Sequence, residues 1–160
     1  MKKYFLFITV IFSFISCQED VTFNNPSIQA LKDNVFWRAV QSKATLAPDG
    51  SLLIEAYTRD ETLSLKVTST KAQSYVLGTS ESKKVIYTVT DATGGVVTFS
   101  TGNGIGDGQI VITDYDDLNK AVTGTFRFNA KNTSNNPSAV AVLNFQQGVF
   151  YKVPVSSLVQ

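Results

Sequence analysis

The chain has 160 residues, of which 14 are basic and 13 acidic, and it has no histidine and a single cysteine. The lack of histidine excludes a Ser-His-Asp triad and a His-ligated metal, and one cysteine excludes an intramolecular disulfide and a Cys-cluster metal site. A formal net charge of +1 provides no basic surface of the kind that binds nucleic acid. We therefore expect no bound cofactor, no metal and no nucleic-acid partner.

Residues 1–16 have the organisation of a secretory signal peptide. Lys2 and Lys3 form a short positive start, and Tyr4 to Ile15 is an almost unbroken apolar run. That run is too short to span a bilayer, which requires about 20 residues. A positive start, an apolar run of this length and a small residue at its end are typical of a secreted protein. The alternative is a buried N-terminal strand or helix.

The residues at the end of the apolar run indicate which type of signal peptide this is. Phe14-Ile15-Ser16-Cys17 resembles the bacterial lipobox, in which a cysteine after a small residue is lipidated and becomes the mature N-terminus. The resemblance implies that residues 1–16 are a lipoprotein signal peptide and that Cys17 is the lipid attachment site, although Phe14 departs from the usual Leu. Two or more acyl chains would hold the chain stably in a membrane, because each buried methylene contributes ~0.8 kcal/mol. The alternative is ordinary secretory cleavage near Ser16, which would leave a free thiol.

Residues 17–26 are polar, lack periodicity and indicate a short tether between the lipid and a folded domain. Gln18-Glu19-Asp20 resembles the acidic signal that follows the lipidated cysteine in surface-exported Bacteroidetes lipoproteins, and the alternative is a generic solvated tether. We expect a lipid-anchored outer-membrane protein on the periplasmic or the cell-surface face, with the surface slightly favoured.

Residues 27–160 have the pattern of a single all-β domain. No stretch of eleven or more residues has helical apolar spacing, and alternation with period two is frequent. The longest alternating run predicts one face made of Val122, Gly124, Phe126, Phe128 and Ala130, and an opposite face made of Thr123, Thr125, Arg127 and Asn129.

Turn signals divide the domain into roughly ten to twelve short strands. They lie at Lys32–Asn34, Ala47–Gly50, Arg59–Glu61, Asp116–Lys120 and Asn132–Ser138. Their spacing predicts an antiparallel β-sandwich with mostly hairpin connections, and the alternative is a flattened meander barrel. Gly148, inside the last apolar run, predicts a β-bulge.

The glycine-rich segment Gly102–Gly108 superficially resembles a phosphate-binding loop. A dinucleotide fingerprint requires a helix after the glycines, whereas Gln109–Tyr115 has the pattern of a strand. We therefore interpret this segment as a hairpin loop whose backbone amides would be the donors if it bound a ligand.

The densest acidic cluster contains Asp114, Asp116, Asp117 and Asn119. Oxygen ligands at alternate positions are suited to Ca²⁺, and paired carboxylates are suited to glycoside hydrolysis. Leu118 and Asn119 occupy positions where an EF-hand would have a ligand and a glycine. Because Asp and Asn also form turns by bonding their own backbone, we favour a turn over the calcium and glycosidase interpretations.

Trp37 is the single tryptophan and lies in the apolar segment Val35–Ala39. We predict that it is a core residue, and the alternative is an exposed aromatic platform for a sugar. The same two interpretations apply to five tyrosines, namely Tyr57, Tyr75, Tyr87, Tyr115 and Tyr151.

Four short motifs occur in the order Phe36-Trp37-Arg38-Ala39, Tyr75-Val76-Leu77-Gly78, Val122–Phe128 and Gly148-Val149-Phe150-Tyr151. On these motifs, residues 27–154 resemble an uncharacterised family of small Bacteroidetes lipoproteins that is defined as a domain of unknown function. The resemblance implies a secreted, lipid-anchored all-β domain and brings no activity, cofactor or catalytic residue.

Two classes of function fit the sequence. The first is a lipid-anchored envelope or cell-surface module that binds a protein or glycan partner through its β-sandwich. The second is a hydrolase or lyase of the cell envelope that uses carboxylates, Tyr or Lys. The lack of a recognisable catalytic constellation favours the binding module.

The lipid anchor leads to the first testable prediction. Because the acyl chains attach to the Cys17 sulfur and N-terminus, Cys17→Ser should release the protein from the membrane fraction, and mass spectrometry of the wild type should find an acylated N-terminal peptide. A variant that stays with the membranes, together with a wild type that has no acylated peptide, would refute the anchor.

Overall fold

The computed structural model describes residues 27–90, 94–134, 136 and 139–157. The predicted signal peptide, the tether, Cys17 and residues 158–160 lie outside this described part. Within it there is no helix, and therefore none that could cross a membrane. Eleven strands account for most of it: β1 Ser27–Lys32, β2 Val35–Arg38, β3 Gln41–Leu46, β4 Leu52–Tyr57, β5 Glu61–Val67, β6 Gln73–Leu77, β7 Lys84–Thr90, β8 Val96–Ser100, β9 Asp107–Asp116, β10 Ala121–Asn132 and β11 Val142–Ser157.

The strands form one continuous sheet that folds over into two layers. A five-strand layer has the order β3-β4-β5-β7-β8, and a six-strand layer has the order β2-β1-β11-β10-β9-β6. Short pairings join the layers: the end of β10 pairs with β8 at Lys131 and Asn132, and Val155–Ser157 of β11 pairs with β3. Rings from unpaired strands meet between the layers, where Tyr87 of β7 and Phe145 of β11 have centroids 5.5 Å apart.

This architecture confirms the predicted all-β fold, and eleven strands fall within the predicted range. Two features depart from a hairpin meander. β6 lies between β5 and β7 in sequence but pairs with β9 in the other layer, and β11 pairs with β3 in parallel. The 16 residues of β11 allow this parallel pairing, since its first part pairs with β1 and β10 before its end reaches β3.

Alternation along the strands builds the core between the layers. Phe126, Phe128 and Val122 of β10 are buried while Thr125 and Arg127 are exposed, as the sequence pattern predicts. Phe145 lies at the centre of an aromatic cluster, with ring centroids 4.9–6.2 Å from those of its four neighbours, Trp37, Tyr87, Phe126 and Phe128.

Local turn chemistry accounts for several of the chain reversals. Asp33 and Asn34 join β1 to β2 with φ values of 47° and 65°, a left-handed conformation that Asn and Asp tolerate better than most residues. The turn before β4 ends at Gly50, which has a φ of 82° and donates its N–H to the Ala47 carbonyl at 2.9 Å. These turns were predicted from the sequence.

The facing of β10 leads to a stability prediction. Phe126→Ala should lower the free energy of unfolding by ~3–5 kcal/mol because it leaves a cavity in the core, a large loss against a typical total of ~5–15 kcal/mol. Thr125→Ala, on the exposed side of the same strand, is the control and should change it by less than ~0.5 kcal/mol. Urea unfolding measures both, and a larger loss at Thr125 would mean that the register is wrong by one residue.

Candidate functional site

The outer face of the six-strand layer contains a polar pocket with a volume of about 550 Å³. We call it the outer pocket. Its polar lining comes from three neighbouring strands, β9, β10 and β11, and consists of Asp107, Gln109, Arg127, Asn129, Asn144, Gln146 and Gln147. A smaller cavity of about 290 Å³ adjoins it, since the two share Gln109, Arg127 and Gln147, and extends the depression towards Val149.

A β-bulge in β11 shapes this pocket. Phe126 pairs with Gly148 and Phe128 pairs with Phe145, so Gln146 and Gln147 together lie opposite Arg127. Gln147 has a φ of 51°, a left-handed conformation that costs a residue other than glycine roughly 1–3 kcal/mol. The bulge confirms the prediction made from Gly148, although the left-handed residue is its neighbour.

Gly148 is required here for its lack of a side chain. A Cβ atom at this position would lie 2.5 Å from the Phe126 ring, well inside van der Waals contact. Because Gly148 can approach the Phe126 ring this closely, β11 remains packed against the core directly beside the bulge, while Gln146 and Gln147 project outward. At Gln147 and Gly148, β11 therefore has a tightly packed inner face and a distorted outer face.

One wall of the outer pocket is held by hydrogen bonds between side chains. The Asn144 amide donates to Asn129 Oδ1 at 2.6 Å, and the Asn129 amide donates to Asp107 Oδ1 at 2.8 Å. Asp33 extends this line by accepting the Asn144 backbone N–H at 2.9 Å. The line runs from the β1–β2 turn across three strands, β11, β10 and β9, and fixes the orientation of each amide before any ligand arrives.

The rest of the polar lining is free to bind a ligand. Within the described part of the chain, the side chains of Gln109, Arg127, Gln146 and Gln147 make no hydrogen bond to another residue. Each glutamine offers two donors and an acceptor, and arginine offers five donors in one plane. The pocket therefore combines a fixed wall with four unengaged planar groups.

Residues in register extend this surface across the whole layer. The strand pairings align one outward position on each of six strands, in the order Phe36, Leu31, Gln146, Arg127, Gln109 and Val76. We call this line the outer row. Phe36 at one end is 64% exposed. Adjacent strands lie ~4.8 Å apart, so Phe36 stands roughly 19 Å from Gln109 across four strand spacings.

Trp37, beside Phe36 in β2, lies in the core as predicted and is only 5% exposed. Its ring meets Phe145 edge to face at 5.5 Å. The alternative, an exposed Trp37 platform, is wrong, and the exposed ring of this segment belongs to Phe36. Tyr75 and Tyr87 are also buried, whereas Tyr151 is 37% exposed on β11.

A charged cluster lies at the edge of the core between the two layers. We call it the Glu61 cluster; it contains Lys32, Trp37, Thr58, Glu61 and Tyr87. The Glu61 carboxylate accepts hydrogen bonds from Lys32 Nζ, from Trp37 Nε1 and, at 3.4 Å, from Thr58 Oγ1. Lys32 Nζ also donates to the Tyr87 hydroxyl at 3.0 Å. The cluster ties the β1–β2 hairpin to β5 and β7.

The electrostatics of the Glu61 cluster suit a structural role. Burial alone would raise the pKa of Glu61, but hydrogen bonds from Lys32, Tyr87 and Trp37 and the charge of Lys32 together hold that pKa below its ordinary value. Burial and the neighbouring carboxylate of Glu61 raise the pKa of Tyr87 far above its ordinary value. Near neutral pH Glu61 therefore stays charged and Tyr87 stays protonated, so neither is poised to exchange protons.

The acidic cluster of β9 forms a turn, which confirms the favoured interpretation. Asp116 Oδ1 accepts the backbone N–H groups of Leu118 and Asn119 at 3.0 and 2.9 Å, and Asp116 Oδ2 accepts the Asn119 amide at 2.7 Å. These bonds lower the pKa of Asp116. In the described residues no group of three acidic, histidine or cysteine side chains is arranged to hold a metal ion.

The glycine-rich segment uses its first four backbone amides, from Gly102 to Ile105, as donors within the protein. Asn103 donates its N–H to Glu81 Oε1 at 2.8 Å, and Gly102 bonds to Ile105 across the loop. The carboxylate of Glu81, which also pairs with Lys84 at 2.9 Å, thus occupies the place where an anion would meet the loop.

The described residues define a two-layer all-β domain with a polar pocket on one outer face. Residues 24–154 match the domain of unknown function DUF6252, and the chain belongs to this family. No curated protein and no solved structure matches the chain. The family description assigns no activity, so the function is inferred from the geometry.

The Glu61 cluster predicts a stability difference that depends on pH. The pKa of Glu61 lies below 4.5 when folded and returns to that ordinary value on unfolding, so its contribution to stability is complete above pH 4.5 and is lost as the pH falls through the folded value. Lys32→Met removes a charge and the hydrogen bonds to Glu61 and Tyr87. It leaves Glu61 buried without its cation, which raises the pKa of Glu61.

We expect Lys32→Met to lower the free energy of unfolding at pH 7 by about 1–3 kcal/mol. The gap to wild type should shrink below pH 4.5, where the wild-type carboxylate also takes up a proton. Urea unfolding from pH 7 to pH 3 measures this gap. Arg59→Met removes the same charge from a side chain that is 94% exposed and should match wild type throughout. A difference in free energy of unfolding between Lys32→Met and wild type that stays constant with pH would contradict the role of Glu61 described here.

Proposed function

We propose that this protein is a lipoprotein of the bacterial envelope, anchored in the outer membrane through Cys17, and that its β-sandwich is a binding module whose ligand site is the outer pocket. The N-terminal sequence supports the anchor, the surface-export resemblance of Gln18–Asp20 favours the cell surface, and the outer face of the six-strand layer supports the binding role.

The bulge at Gln146 and Gln147 is the observation that carries this proposal. A left-handed glutamine has an energetic cost that sheet formation alone does not require, because a regular pairing would avoid it. The bulge places two glutamines opposite Arg127 inside the outer pocket. Strained, non-glycine residues of this kind tend to occur where a side chain is re-aimed for recognition.

The position of the domain relative to the proposed anchor is compatible with this role. β1 begins at Ser27, ten residues after Cys17, and an extended chain of that length reaches at most about 35 Å. Such a tether lets the domain stand clear of lipid headgroups and turn its outer pocket towards a ligand. It also keeps the module near the membrane.

The alternative, a hydrolase or lyase that uses carboxylates, Tyr or Lys, has weaker support. The described residues do bring Glu61, Lys32 and Tyr87 together. These side chains use their hydrogen-bonding groups within the cluster. The shifts move the pKa values of Glu61 and Tyr87 away from neutral pH rather than towards it. Catalytic acids and bases are usually shifted the other way.

The binding role is testable with probes of defined chemistry. The full-length chain in lauryldimethylamine-oxide micelles, which contain no sugar, is titrated with labelled neutral hexaoses, polygalacturonate, an unstructured peptide and glycerol phosphate, which represents an anionic lipid headgroup. We expect saturable binding of one class. Arg127→Gln should weaken this binding roughly tenfold, which corresponds to about 1.4 kcal/mol, whereas Arg59→Gln should leave it unchanged.

Gln147→Gly separates binding from folding. Glycine adopts a φ of 51° without a Cβ penalty, so the unfolding midpoint should stay the same or rise while binding weakens. Binding that survives both Arg127→Gln and Gln147→Gly, or no saturable binding of any probe, would overturn the proposal.

A further inference from the structure

The chemistry of the outer row indicates the class of ligand. Resting on the binding role proposed above, we infer that the ligand is a neutral oligosaccharide that crosses the strands along the outer row, stacks one sugar ring on Phe36 and hydrogen-bonds to Gln146, Gln147, Arg127 and Gln109. Each part of this assignment follows from the position of these residues on the six-strand layer.

The first step is the balance of donors and acceptors. A sugar presents neighbouring hydroxyl groups, each of which both donates and accepts a hydrogen bond. Glutamine amides match this pattern because they also do both, and the planar guanidinium of Arg127 can donate to two oxygens at once. These groups make no hydrogen bond within the described residues, so a ligand displaces only water from them.

The second step is charge. Among the described residues, Arg127 is the single cation that lines the outer pocket, and the carboxylate of Asp107 lies in the same lining, where it accepts a hydrogen bond from Asn129. A nucleic acid or polyphosphate requires several cations along its path. The pocket therefore suits a ligand without net charge.

The third step concerns peptides and lipids. Extended peptides commonly bind by adding a strand to a sheet edge, but β10 and β11 are interior strands whose backbone groups pair with neighbours on both sides. A lipid chain requires an apolar cavity, whereas amide and guanidinium groups dominate the outer pocket. Recognition here has to come from side chains that stand on the flat face of the sheet.

The fourth step is the exposed ring of Phe36. Burial of Trp37 turns its neighbour outward, because successive residues of a strand point to opposite faces. Leu31, half-buried, fills the gap between Phe36 and Gln146. The face of an aromatic ring is apolar and carries partial negative charge, which suits the C–H face of a pyranose.

The length of the row selects an oligosaccharide over a single sugar. Phe36 and Gln109 stand roughly 19 Å apart across four strand spacings, farther than one sugar ring reaches. A monosaccharide would contact the ring or the amides, but not both. A chain of several sugars engages both ends at once, so its affinity should exceed that of the monomer by much more than the number of units.

The experiment titrates the full-length chain in lauryldimethylamine-oxide micelles with neutral hexaoses of glucose, mannose and xylose, and with their monosaccharides. We expect one hexaose to bind at least tenfold more tightly than its monomer. Phe36→Leu, which keeps an apolar side chain but removes the ring, should weaken that hexaose at least fivefold and leave the unfolding midpoint unchanged. Tyr57→Leu removes an aromatic ring from the outward side of β4 and should have no effect on binding.

The outcomes distinguish this inference from the binding role itself. If only the peptide, glycerol phosphate or polygalacturonate binds, and Arg127→Gln weakens that binding, the outer pocket is a binding site but the neutral oligosaccharide is wrong. If a hexaose binds and Phe36→Leu has no effect, the orientation along the outer row is wrong. If neither Arg127→Gln nor Gln147→Gly changes the binding, both proposals fail.

Discussion

The hydrogen bond from the Trp37 indole to the Glu61 carboxylate fixes which side of β2 lies against the core. A buried indole N–H without a partner would cost about 1–3 kcal/mol, and Glu61 meets that N–H together with Lys32 Nζ. A shift of β2 by one residue would expose Trp37 and bury Phe36, which has no polar atom to offer the carboxylate. The β1–β2 hairpin therefore closes on the core in one register.

That register also determines the outer face of the layer. With Trp37 inward, Phe36 and Arg38 point outward, and the pairing of β1 with β11 brings Phe36 into line with Gln146. On the next strands, the bulge at Gln147 and the close contact between Gly148 and Phe126 separate a packed inner face from a polar outer one. The core and the proposed site thus lie on opposite faces of the same strands. The left-handed residue of the bulge lowers the stability of the fold at the point where the bulge shapes the proposed site.

Local patterns in the sequence predict much of this structure. Period-two alternation predicts the buried and exposed sides of β10, and Asp33-Asn34 and Pro48-Asp49-Gly50 predict their turns, because both depend on residues close in sequence. The placement of β6 beside β9 and the parallel pairing of β3 with β11 depend on contacts between distant segments. No local spacing encodes such contacts.

The candidate site is harder to predict for the same reason. Gln109, Arg127 and Gln147 come from three strands and look like ordinary solvated residues until the register aligns them. Lys32 and Glu61 are 29 residues apart in sequence, and no motif connects them. The sequence pattern does indicate the segment around Trp37 and predicts that Trp37 lies in the core, but the exposure of Phe36 follows from the facing of β2, which depends on Glu61. The lipid anchor at Cys17 stays a prediction from the N-terminal pattern.

The central claim is that the inner face of the six-strand layer maintains the fold while its outer face binds the ligand. Side-chain NMR of the ¹⁵N-labelled protein tests this directly, because Trp37 supplies the single indole N–H and the glutamines supply separate amide signals. On addition of the hexaose that binds most tightly, the side-chain amides of Gln109, Gln146 and Gln147 should shift while the Trp37 indole signal stays in place. A shifted indole signal with unchanged glutamine amides would place the ligand at the Glu61 cluster and contradict the account.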